Sequence, residues 1–245
     1  MKGLGTVLLV TAAAGMGGTG LGGAAACLLR RDSSRMVSLM LSFAAGVMTA
    51  VVCFDLLADA VEMGLFRVTM GILLGYGATE MLNTCISRED RKSHDSLFLA
   101  GLVMAAAIAI HNLPEGMVIG ASFSREQGGV REGLVMAAVI GLHNIPEGMA
   151  VAVPLVSGGM ERGKAAAVSA VTGAPTVLGA LLGWLLGTMG PKMLALSLSF
   201  ASGAMLYVAF GELLPEAERL WKSRLPALAA VGGIIVGMVI VYGSP

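Results

Sequence analysis

Apolar residues fall in eight stretches, approximately 4–29, 36–58, 64–86, 97–122, 133–157, 164–189, 193–214 and 225–243. A helix needs about 20 such residues to cross a bilayer. The connectors are short and hold nearly all the charge, leaving no room for a soluble domain. The pattern predicts an all-α membrane protein, one polytopic domain over residues 1–245 with eight transmembrane helices. The first stretch runs on through Leu29, which favours a first span over a short signal-peptide core.

Two internal echoes run through this pattern. Val103–Gly120 reads VMAAAIAIHNLPEGMVIG and Val135–Ala152 reads VMAAVIGLHNIPEGMAVA. Ser42–Ala60 reads SFAAGVMTAVVCFDLLADA and Ser199–Ala217 reads SFASGAMLYVAFGELLPEA. With eight spans, the second and seventh run in opposite directions, as do the fourth and fifth. Similar segments in opposite orientation are the mark of inverted repeats, which many secondary transporters use to build a site at mid-membrane.

Composition agrees: 56% of residues are hydrophobic and 13% charged, with a mean hydropathy of +0.82. A soluble domain carries about 25% charged residues. The 35 glycines suit close helix packing in lipid. Net charge is zero and no basic tract or interleaved aromatics point to nucleic acid. Cys27, Cys53 and Cys85 lie far apart in apolar runs, and read as packing residues and not as a disulfide or thiolate site. Basic residues favour one side: Arg30, Arg31, Arg35, Arg88, Arg91, Lys92, Arg162, Lys164, Arg219, Lys222 and Arg224 against Lys2, Arg67, Arg125, Arg131 and Lys192. Such residues accumulate on the cytoplasmic side, so both termini are expected outside an inner or plasma membrane.

The first echo carries the chemistry. His111 and Glu115 stand four residues apart and face the same way on a helix; His143 and Glu147 repeat them. Asn112 and Asn144 lie about 100° round, toward a neighbouring face. Ionisable groups at mid-membrane are costly and mark function. Nitrogen and oxygen donors of this kind suit a first-row divalent metal. Pro114 and Pro146 each leave a backbone carbonyl, that of Ile110 or Leu142, without its helical donor, and Gly116 and Gly148 allow the other helix to approach. On straight helices with the histidines level, the two carboxylates stand roughly 12 Å apart along the axis. Either the kinks shorten this, the ion binds in steps, or two ions bind. Met117 and Met149 read as apolar packing. Asp55 is expected near the outer end of the second span and Glu212 near the inner end of the seventh, as pathway or gate residues. His94 reads as a solvated loop residue.

At these residues the chain resembles the ZIP (Zrt-/Irt-like) family of metal transporters. HNLPEG and HNIPEG look like that family's signature, and the resemblance covers essentially the whole chain. It implies a ZIP-type fold and transport of divalent metal, chiefly Zn2+, toward the cytoplasm. Fe2+, Mn2+, Cd2+ and Co2+ remain open as substrates, and no separate cofactor is implied. His111, Glu115, His143 and Glu147 would be primary ligands. Asn112 and Asn144 would serve an adjacent second site that Glu115 and Glu147 can bridge. Two departures stand out. Thr176 takes the place where relatives carry a carboxylate, so a second ion should bind weakly or not at all. Gly211 precedes Glu212 where relatives often have histidine, which puts an inner histidine relay in doubt. Since imidazole must be neutral to bind metal, acid should weaken uptake.

The rival readings are an intramembrane metal-dependent hydrolase and a metal sensor. No HExxH motif supports the first and no output domain the second. The expected partners are divalent ions and the lipid bilayer, with a homodimer compatible with this size of transporter and no nucleic acid.

Overall fold

The computed structural model describes residues 3–28, 34–62, 64–90, 97–125 and 129–243. Helix dominates, and no strand occurs among these residues. Eight helical units follow in order: α1 (Leu4–Leu28), α2 (Ser34–Val51, continuing as Val52–Leu56 and Leu57–Val61), α3 (Leu65–Asp90), α4 (Leu97–Phe123), α5 (Gly129–Ser157), α6 (Arg162–Thr188), α7 (Pro191–Leu220) and α8 (Leu225–Gly243). Seven of them combine the length and hydropathy needed to cross a membrane; α3 is the exception among the described residues. It runs on into Arg88, Glu89 and Asp90, beyond the apolar stretch that ends near residue 86. α7 likewise outlasts its apolar stretch, reaching Leu220, and Arg219 there grips Glu216 at 2.6 Å one turn back. α5 starts four residues before the stretch at 133, with Glu132 in its first turn, where the helix dipole favours an acid.

Three π segments and one break interrupt the α geometry among the described residues. α1 carries a π segment at Ala13–Gly17, α2 one at Val52–Leu56 and α7 one at Val208–Leu213. α6 is broken at Gly173–Ala174 and restarts at Pro175, a residue suited to the first helical position because it has no N–H to leave unpaired. The sequence pattern showed α6 as one unbroken span. α7 starts after Gly190, whose φ of 115° only glycine adopts without strain.

The helices pack in parallel pairs through glycine. A Cβ on Gly116 would run into the Thr176 carbonyl and one on Gly120 into that of Ala180, which sets α4 beside α6. On Gly148 it would meet the Thr19 carbonyl and on Gly22 that of Ile145, which sets α1 beside α5. Gly46 faces the Ala230 carbonyl (α2 with α8), and Gly203 faces that of Ile72 (α3 with α7). Exchanging α1 with α6, α2 with α7, α3 with α8 and α4 with α5 reproduces these pairs. This is inverted-repeat symmetry, with Thr19 matching Thr176, Gly46 matching Gly203 and Asp55 matching Glu212. Gly116 and Gly148 therefore admit α6 and α1; the sequence reading had them admit the other motif helix. Without a hydrophobic force between helices in lipid, such close backbone approach is the main source of packing energy. The outward faces stay apolar, with Leu9, Phe66 and Leu228 largely exposed for lipid.

Candidate metal site

α4 and α5 form an antiparallel hairpin at the centre, and their motifs meet deep inside it. Nε2 of His143 lies 3.2 Å from Oε1 of Glu115 on the opposite helix. Glu115, His143 and Glu147 each offer a ligand atom within 4.8 Å of the other two. A tetrahedral zinc with bonds of about 2.0–2.1 Å wants ligand atoms about 3.3 Å apart, so a small contraction closes this set on one ion. The 12 Å carboxylate separation expected of level histidines is absent. Asn112 meets Asn144, which puts Glu147 level with residue 109 and six residues from Glu115. That is about 9 Å along straight axes, and two long side chains reaching toward each other cover the rest.

Two buried carboxylates side by side need neutralising, by protons or by a bound cation. Glu115 and Glu147 are both 0% exposed, and no Lys or Arg ion pair to either occurs among the described residues. Neither oxygen of Glu147 has a hydrogen-bond partner. An unpaired buried carboxylate is among the costliest groups a protein can hold. Nδ1 of His143 is also unpartnered.

His111 stands outside this three-residue cluster. Its Nε2 lies 3.1 Å from Oε2 of Glu212 on α7. The π segment Val208–Leu213 contains Glu212. Such bulges inside α-helices are common at functional sites. Glu212, expected near the inner end of α7, thus reaches the first motif directly.

The two asparagines line a second polar layer. Asn112 donates to the carbonyls of Ile108 (2.9 Å) and Thr172 (3.0 Å), and Thr176 Oγ1 donates to the Asn112 side-chain oxygen at 3.1 Å. With its nitrogen turned toward Glu115, Asn144 donates to Oε2 of that carboxylate at 3.0 Å. Thr176, fully buried, therefore stands beside Asn112 as its sequence position suggests. Its neutral hydroxyl adds no charge there.

Asp55 lies elsewhere, 4.0 Å from Nη2 of Arg125, whose Nη1 contacts Glu132 at 2.8 Å. Sequence reasoning counted Arg125 as an orientation charge alone and missed Glu132. The signal was the cluster of Arg125, Arg131 and Glu132 in one short connector. Met117 and Met149 pack in the apolar core. The Cys27 thiol donates to the Arg162 carbonyl at 3.2 Å, and Cys53 is exposed. His94 and the Cys85 side chain lie outside the described residues.

A helical membrane protein with inverted repeats and a buried Glu/His/Glu cluster belongs to the class of polytopic metal-handling proteins. The sequence profile of the ZIP zinc transporter family matches residues 79–242. The chain is 36% identical over 258 residues to the zinc transporter ZupT of Chlorobium luteolum, covering 95% of this chain and 94% of that one. It is 33% identical to the ZupT of Streptococcus mutans, over 98% and 96% of the two chains. The zinc transporter GufA of Myxococcus xanthus is 32% identical over 71% of this chain and 70% of its own. This chain belongs to the ZIP family.

Proposed function

We propose that the chain carries divalent transition-metal cations, zinc foremost, across an inner or plasma membrane toward the cytoplasm, with both termini outside. His111, Glu115, His143 and Glu147 bind the ion, Asn112 and Asn144 line an adjacent position, and Glu212 receives the ion on the inner side. The observation that carries this reading is Glu147, wholly buried with both oxygens unpartnered beside Glu115 and His143. Relatives named as zinc transporters support zinc as the first substrate to test.

The test is metal uptake into proteoliposomes holding the purified protein, with Zn, Fe, Mn, Cd and Co offered separately and His111→Ala alongside. Saturable flux that His111→Ala abolishes is the expected result. Tight binding with no flux of any ion would favour a metalloenzyme or sensor and sink the proposal.

Thr176→Glu tests the adjacent position. The added carboxylate faces Asn112, where Thr176 Oγ1 now donates at 3.1 Å. Bound zinc is expected to rise toward two ions per chain. Unchanged stoichiometry and affinity would contradict the assignment of that layer to a second ion.

A further inference from the structure

The internal symmetry is obeyed by the backbone and broken by the charged side chains. Asp55 and Glu212 are equivalent positions, and both sit in the π segments of their helices. Glu212 meets His111 at 3.1 Å. By the same symmetry Asp55 should meet His143. Instead His143 pairs with Glu115, and Asp55 is drawn to Arg125 at the far end of the α4–α5 hairpin. Arg125 is held in turn by Glu132 at 2.8 Å. Arg125 therefore ties α2 to the first turn of α5 across the end of the hairpin. A cavity of about 250 Å3 lies there, lined among others by Asp55, Arg125, Glu132 and Met136. At the opposite end of the hairpin Gly158 packs on Phe98, an uncharged contact.

We propose that Arg125 is a latch on this side of the transport path. While it holds Asp55 and Glu132, the metal site communicates with the Glu212 side. When Asp55 exchanges Arg125 for His143, α2 and α5 part at this end and a divalent cation reaches Glu115, His143 and Glu147 through the cavity. The two histidines thereby alternate in pairing with a carboxylate of the symmetric helices, His111 with Glu212 of α7 in one state and His143 with Asp55 of α2 in the other. The inference rests on the transport reading above. It adds Arg125 as a residue that controls access without binding the ion.

The experiment reads access directly. Met136→Cys is placed in a chain whose Cys27, Cys53 and Cys85 are serine, and the purified protein in nanodiscs is reacted with a charged thiol reagent. Both membrane faces are open to the reagent, so orientation does not enter. Arg125→Gln, which removes the cation from both ion pairs, should raise the reaction rate about tenfold. Glu132→Gln, which leaves Arg125 in place but removes its 2.8 Å anchor, should raise it less, and Arg125→Lys should restore much of the slow rate. A cysteine at Val47, sealed at 0% exposure, reports general loosening and should stay slow throughout. Rates at position 136 unchanged in both Arg125→Gln and Glu132→Gln overturn the latch. So does a parallel rise at position 47. No metal flux is needed for this readout, so a failed latch and a failed transport assignment are told apart.

Discussion

Glutamine at position 147 is expected to end metal transport without making the metal-free protein easier to unfold. Glu147 is fully buried with two unpartnered oxygens, and it shares its surroundings with a second buried carboxylate, Glu115. Glutamine keeps a buried polar group at this place but removes the cost of an ionisable one beside Glu115, so the metal-free variant should unfold no more easily than wild type. The same change removes a direct ligand. Outer partners of metal ligands are worth about 10–100-fold in affinity or activity, so uptake at limiting zinc should fall at least about 100-fold. Wild-type protein at zinc a hundred times its dissociation constant gains about 2.7 kcal/mol from binding, and the variant should gain almost nothing. Thermal unfolding with and without zinc, read beside flux, checks both halves. A Glu147→Gln protein that keeps the zinc-dependent shift would remove Glu147 from the site. A purely structural role predicts the reverse in the absence of metal, a less stable protein.

The second large effect comes from residues with no chemistry. Gly116→Ala and Gly148→Ala each push a methyl group into a facing carbonyl, that of Thr176 on α6 or Thr19 on α1. Backbone cannot yield as a flexible side chain does, so the helices must separate. The cost should reach or exceed about 3 kcal/mol, the upper end for overpacked cores. Separation of α4 from α6 also pulls Thr176 away from Asn112, now 3.1 Å apart. Gly232→Ala is the control. A Cβ there meets nothing within 4 Å, and in a helix the change is favourable by up to about 1 kcal/mol. Melting temperatures in detergent should order the variants with Gly232→Ala at or above wild type and the other two well below. Gly116→Ala and Gly148→Ala proteins as stable as wild type would mean that these helix pairs are looser than described.

The span pattern and the duplicated motifs were legible because membrane burial leaves a long apolar signal and because one imidazole and one carboxylate per helix stand out against it. Partner choice was not legible. The (i, i+4) spacing puts His111 and Glu115 toward one face, yet each pairs across to another helix, His111 with Glu212 and Glu115 with His143. A two-residue shift in hairpin register decides that, and loop composition does not fix register so finely. The π segments were equally hidden. Their extra residue changes which way Glu212 points without altering the hydrophobicity of α7. The role of Gly116 was half readable: small residues at a motif announce close approach, but the approaching helix is set by how the eight helices are arranged.

The π segments of α2 and α7 also bear on origin. A π turn amounts to one residue inserted into an α-helix, and both halves carry it, at Val52–Leu56 and Val208–Leu213. One insertion copied by gene duplication accounts for both; otherwise two separate events had to strike matching places. The irregularity is then older than the two-part chain. The unit that recurs is α1–α3, again as α6–α8 in the opposite orientation, while α4 and α5 match each other, so the bulge belongs to a three-helix unit and not to half of the chain.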